Sequence, residues 1–456
     1  MFAILRLACP SSGFSFRRSI FGSACFIAAY VAGVASGEGI ESSAIEMTRV
    51  IEEPQIALIS PYESPNIGWE VRGSIAFAVD VKGEDAISKV DFYVDDQHIY
   101  TDYDYPWGTL WNTRPLEPGN YSLKAICEDT NGSKAAISQV VSVAAPLTKA
   151  EATGSIIDSG ELPNISAVIE DVNLRDTTVT VGPDGTYYLS GTGADNNAWF
   201  HNEGINLWKS ADLKQWSYVG LIWSFERDGY ADEKEWWTYK DESPFRAVWA
   251  PEFQYIHENF YITYSLQSKG SRLLRSASGR PEGPYELAAG TEVNFFSNID
   301  GGLFSSINDP DIGYLCYESG NIVALNEGWN ATAGPVTRVE AGDEGCFVFH
   351  WKGKYYLSNA LFYDAAAGRR YSSWVGISDS PTGPYSGFHE AIPCGGHNTY
   401  FVDTCGTLWG TFFGNDKLSP WRERPAIVKI KTGEDGSLYP DPDQEAVACV
   451  ESLDVA

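Results

Sequence analysis

Gly185-Thr-Tyr-Tyr-Leu189 reads as a turn that runs into an aromatic-rich strand, and the phrase returns four more times. The other copies are Glu258-Asn-Phe-Tyr-Ile262, Ile312-Gly-Tyr-Leu-Cys316, Gly353-Lys-Tyr-Tyr-Leu357 and Gly406-Thr-Leu-Trp-Gly410. Recurrence at roughly 40 to 75 residues marks a repeat architecture. Repeats of that size made of short strands read as blades of a β-propeller. Such a fold gathers the inner-strand ends of all its blades around one axial pocket, so side chains remote in sequence meet there. Segments that follow the phrase repeat too: Leu207-Trp-Lys-Ser-Ala-Asp212, Leu274-Arg-Ser-Ala-Ser278 and Val375-Gly-Ile-Ser-Asp-Ser380 read as the next strand of their blades. The propeller is expected over residues 164–450, with Trp223 to Phe245 as an insertion on the binding face.

The rest of the chain is legible around that core. Its 456 residues suggest two or three domains. Fifteen Trp, 25 Tyr, 44 Gly and 23 Pro favour an all-β protein. Residues 52–146 carry short alternating strands, such as Ile75-Ala-Phe-Ala-Val79 and Val90-Asp-Phe-Tyr-Val94, parted by turns such as Glu117-Pro-Gly-Asn120. That pattern is a β-sandwich. Residues 1–35 have a basic head (Arg6, Arg17, Arg18), an apolar stretch and Gly33-Val34-Ala35, the small-x-small pattern of a cleaved signal peptide. The expected location is therefore secreted, periplasmic or extracellular in the bacterial manner.

A net charge of −29 repels phosphate backbones and anionic lipid, so neither nucleic acid nor membrane is expected as a partner. A neutral, hydroxyl-rich carbohydrate suits an acidic surface rich in Trp and Tyr. Of the cysteines beyond the leader, Cys394 and Cys405 are placed to bridge the hairpin of the last blade, with buried thiols as the equal alternative.

Three acids lie at or near the start of a blade. Asp176 stands nine residues before Gly185, Glu344 stands nine before Gly353, and Asp300 sits in Asn298-Ile-Asp-Gly-Gly302. The equal offsets predict that Asp176 and Glu344 occupy equivalent positions in two blades, both turned to the axis.

The ordered set Arg175-Asp176, Val248-Trp-Ala-Pro-Glu252, Ile299-Asp-Gly301, Glu344-Gly345 and Gly395-Gly-His397 resembles the motifs of glycoside hydrolase family 43. The stretch Val90-Asp-Phe-Tyr-Val94 with Pro118-Gly-Asn-Tyr121 resembles the immunoglobulin-like modules of bacterial secreted enzymes. The resemblance implies a five-bladed β-propeller preceded by an immunoglobulin-like β-sandwich. It also implies an inverting hydrolase of arabinofuranosides, xylosides or galactosides in plant or algal polysaccharide. By it Asp176 is the general base, Glu344 the general acid, and Asp300 the group that orients the acid and tunes its pKa. Trp249 and Glu252 become candidate sugar ligands, with packing residues as the equal alternative; apart from the resemblance, Arg246, and Arg422 or Arg424, are further candidate ligands of hydroxyl or carboxylate groups. His397 becomes an axial residue of the channel. No cofactor is implied, beyond a structural calcium ion in the channel. The chemistry stands by itself as well, since inversion needs one protonated carboxyl and one carboxylate ~6.5–9.5 Å apart, with water between them. Thr177, Cys346 and the turn at Ser305 to Ile312 depart from the family pattern. They motivate one alternative, a non-catalytic glycan-binding propeller; a neighbouring propeller family acting on algal oligosaccharides is a second.

Overall fold

The computed structural model describes residues 54–65, 67–82, 87–144, 166–167, 172–193, 201–234, 238–240, 243–266, 269–289, 295–296, 298–365, 368–413 and 424–443. The leader-like segment, Trp236, Trp237 and Arg422 lie outside them.

Two sheets make the sandwich. Gln55–Ser60, Ser74–Lys82 and Gly108–Asn112 form one; Glu70–Val71, Lys134–Val143, Gly119–Asp129, Ile87–Val94 and Gln97–Asp102 form the other, in those spatial orders. Alternate residues of facing strands, Phe77, Val79, Phe92, Leu123 and Ala125 among them, fill the space between. The period-2 pattern read in the sequence is this inward face.

Five antiparallel four-stranded sheets follow. Their first strands are Leu174–Val181, Trp249–Ile256, Gly302–Ser305, Glu344–Trp351 and Tyr400–Val402. The fifth sheet gains Ser166–Ala167, which pairs with Ala426–Thr432 and ties the start of the propeller to its last blade. The recurring aromatic phrase is the second strand of each blade, because the acid-bearing segment before it is itself the first. Leu207, Leu274 and Val375 accordingly lie on third strands.

The phrase has a packing cause. Successive side chains on a strand face opposite ways, so adjacent aromatics serve two neighbouring blades. Tyr187 packs with Phe401 and Trp409 of blade five, while Tyr188 packs with Phe253 and Phe260 of blade two. Tyr261 joins Leu303 and Leu315 of blade three; Tyr355 joins Phe304 of blade three, and Tyr356 joins Tyr400 of blade five. Each interface between consecutive blades has such a cluster, and the fifth interface returns to blade one. Burying one such ring contributes about 1.5–3 kcal/mol, so the phrase is under strong packing constraint.

The sandwich lies against the outer strand of blade one, Ser217–Ser224. Ile59, Ala76 and Ala78 pack on Leu221, and Leu110 packs beside Trp208 and Tyr218. Gly220 permits this approach: with φ at 148°, a Cβ there would stand 2.5 Å from Pro106 Cγ. An edge that would otherwise offer free backbone groups is thereby covered.

The hairpin expected from Cys394 and Cys405 is not bridged. Cys394 is a buried thiol, whereas Cys405 is disulfide-bonded to a partner outside the described residues.

Candidate active site

The first strands share a one-residue bulge near their starts. Register slips between Arg175 and Thr178, between Trp249 and Glu252, and between Glu344 and Phe347. In blade three Ile299 accepts from Glu318 N while Gly302 pairs with Cys316, which is the same slip. Each bulge holds one residue at positive φ: Asp176 (51°), Ala250 (43°), Asp300 (61°) and Gly345 (69°), with His397 (50°) before the first strand of blade five. For residues other than Gly this backbone costs of order 1–3 kcal/mol, and such positions cluster where side chains are re-aimed at a site.

This register corrects the expected equivalence. The partner of Asp176 in blade four is Gly345, and Glu344 matches Arg175 and Trp249. The nine-residue offsets agree only because the hairpins differ. Blade one turns through residues 183–185, whereas Lys352 and Gly353, both at positive φ, make a two-residue turn in blade four. Two rings result: Asp176, Ala250, Asp300, Gly345 and His397, and one residue earlier Arg175, Trp249, Ile299, Glu344 and Gly396.

Asp176, Asp300 and His397 line one axial cavity with Glu252, Cys346 and Asn398. Asp176 Oδ1 is 3.1 Å from His397 Nδ1, and its Oδ2 accepts from Thr192 Oγ1 at 2.6 Å. Burial pushes the Asp176 pKa up, but the His397 charge and hydrogen bond, Arg175 and Thr192 outweigh it and hold the value at about 2. Burial likewise disfavours the His397 cation, yet Asp176, Asp300 and Glu344 carry its pKa up to about 10. Asp300 goes the other way. Burial lifts it against the pull of the His397 charge, and the nearby Glu344 and Asp176 charges add to the rise. Asp300 Oδ2 accepts from Gly345 N at 3.1 Å, which anchors the backbone just after Glu344. Tyr371 donates to Glu344 Oε1 at 2.7 Å, and Phe362 lies 4.2 Å from the Tyr371 ring. Neither Thr192 nor Tyr371 was singled out by the sequence, because neither lies within a motif.

The other sequence candidates separate. Trp249 is half-buried in the ring that holds Glu344. Glu252 faces the cavity two residues beyond Ala250; its Oε1 is closed off without a hydrogen bond, and burial, aided by Asp300, carries its pKa to about 8. Arg246 is not among the cavity residues. Its guanidinium is buried, donates to Glu226 Oε1 (2.6 Å) and Lys234 O (3.0 Å), and stacks on Tyr62 and Phe225. Arg424 donates its backbone N–H to Phe413 O. Among the described residues no group of His, Cys, Asp and Glu is arranged to hold a metal ion.

His397→Asn should move the acid limb of kcat/KM upward by about 1–3 pH units. Removing the cation leaves burial to dominate Asp176, so its carboxylate takes a proton at higher pH. A pH–rate profile checks this, and a limb that stays in place or moves down would contradict it.

Glycosyl hydrolases family 43 matches residues 166–438, and the bacterial Ig domain family matches residues 54–125. The chain is 24% identical over 231 residues to the extracellular endo-alpha-(1->5)-L-arabinanase 1 of Bacillus subtilis (strain 168), covering 46% of this chain and 67% of that protein. Similar solved structures include a thermostable family-43 glycoside hydrolase (20% identity, 64% of this chain and 100% of that one, TM-score 0.48). A GH43_1 enzyme from Xanthomonas citri complexed with xylose is another (15% identity, 62% and 95%, TM-score 0.49).

Proposed function

Taking as premise that this chain belongs to the glycosyl hydrolases of family 43, we propose that it is an exported enzyme that cleaves neutral plant polysaccharide with inversion. Asp176 is the general base, Glu344 the general acid, and Asp300 the residue that holds the acid's backbone in place. The observation that carries this reading is the different treatment of the carboxylates. The His397 pair keeps Asp176 ionised, as a base must be, while Tyr371 holds Glu344 in place by donating to its Oε1. In one step, water oxygen bonds to the anomeric carbon and loses a proton to Asp176. The glycosidic C–O bond breaks as Glu344 passes its proton to the departing oxygen. Proton exchange with solvent then resets both groups.

Trp249, next to the cavity residue Ala250, supplies a flat apolar face for a sugar ring. The disulfide at Cys405 supports export, where such bonds persist. The arabinanase relative favours α-L-arabinofuranosyl bonds over xylosides and galactosides. The test is a panel of aryl α-L-arabinofuranosides, β-D-xylosides and β-D-galactosides together with linear arabinan. Arabinosyl release should dominate. Binding without turnover across the panel would sink the catalytic reading in favour of a glycan-binding propeller.

A further inference from the structure

The sandwich reaches the catalytic end of the propeller through one side chain. Tyr62 follows the strand Gln55–Ser60 and leaves the sandwich to lie over blades one and two. Its hydroxyl donates to Asn202 O at 3.1 Å, its ring lies 4.9 Å from that of His201, and the Arg246 guanidinium stacks on it at 4.4 Å. Asn202 and Arg246 are themselves joined, through Asn202 N–H to Arg246 O and through the bridge between His201 and Arg246.

From there the contacts continue inward. The Asn202 side chain clasps both backbone groups of Val248, accepting from its N–H at 3.0 Å and donating to its carbonyl at 2.9 Å. Val248 is followed by Trp249 and the strained bulge at Ala250. Ala250 N–H donates to Thr192 Oγ1 at 2.7 Å, and the same hydroxyl donates to Asp176. Tyr62 thus stands at the outer end of a continuous set of bonds that locates Trp249 and ends on Asp176.

We propose that Tyr62 is a positioning residue for the sugar-binding wall: the sandwich, through this side chain, sets where Trp249 stands beside the cavity residue Ala250. The sandwich is then part of the active-site architecture rather than a spacer. This rests on the reading of Trp249 as a sugar-binding surface. A neutral phenol stacked under a buried, already paired guanidinium is well suited to the task, since Glu226 holds the Arg246 charge and Tyr62 locates the plane of its fork.

The test uses the full chain with an arabinofuranosidic oligosaccharide, at a temperature well below each variant's measured unfolding midpoint. Tyr62→Ala should raise KM about five- to tenfold with kcat within about twofold, because the wall is displaced while the acid remains held by Asp300 and Tyr371. Tyr62→Phe keeps the ring under Arg246 but loses the bond to Asn202 O, and its KM should fall between those of Tyr62→Ala and wild type. Trp249→Ala should raise KM by itself, and Tyr62→Ala should add little on that background, as expected for residues acting as one unit. Three results would overturn the inference: unchanged KM in Tyr62→Ala, full additivity of the two substitutions, or an effect on kcat alone. A silent Trp249→Ala overturns it too, and separately removes the sugar-wall reading.

Discussion

Glu344→Gln will slow cleavage of glycosides with poor leaving groups by about 10²–10⁴-fold while leaving activated aryl glycosides within about tenfold of wild type. A departing sugar alkoxide needs a proton as the C–O bond breaks, whereas a nitrophenolate leaves without one. Gln preserves the hydrogen bond from Tyr371 to the side-chain oxygen and the anchoring of Gly345 N–H on Asp300, so the local backbone remains and only the transferable proton is lost. Paired kinetics on a natural oligosaccharide and a dinitrophenyl glycoside give the comparison. Equal losses on both would show that Glu344 is not the acid.

Asp176→Asn removes the other half of the chemistry and should be slow on both substrate types, by about 10²–10⁴-fold or more. Water must be deprotonated whichever group departs, and an amide cannot accept that proton. The side chain also loses its charge pairing with His397, while Thr192 still has an oxygen to donate to. Asp176→Gly opens space on the water's side, where azide can bond to the anomeric carbon of an activated substrate and displace the phenolate. The product is a glycosyl azide of inverted configuration. Substantial residual activity of Asp176→Asn on the activated substrate, or an azide of retained configuration, would contradict the assignment.

Much of the fold could be read from one physical fact, that a strand between two blades needs an apolar group on each face. Tyr187 and Tyr188 meet that need for blade one, as Tyr355 and Tyr356 do for blade four. The sandwich was equally readable, because Phe77 and Val79 share its inner face. The three candidate acids were picked out through family-like motifs, and Asp300 stands near enough to Asp176 and Glu344 to feel both charges. Their register was not readable. Counting from Gly185 and Gly353 assumed equal hairpins, and one extra residue in the blade-one turn displaced the match by one position.

The surroundings of Arg246 were not readable either. An arginine two residues before Val248 gives no sign in sequence that Glu226, Lys234 and Tyr62 will enclose it. Tyr371 reaches Glu344 from the third strand of its own blade, and such a cross-strand pairing leaves no motif. Nor does spacing decide a disulfide, as Cys394 and Cys405 illustrate.

The central claim is a single displacement, with water activated at Asp176 and the leaving group protonated at Glu344. Proton NMR of the first sugar released from an α-L-arabinofuranoside, at enzyme concentrations that outrun mutarotation, tests it most directly. The account predicts β-L-arabinofuranose as the first-formed anomer, decaying afterwards to the equilibrium mixture. The α-anomer appearing first would mean two displacements through a covalent intermediate, and would contradict the roles assigned to Asp176 and Glu344.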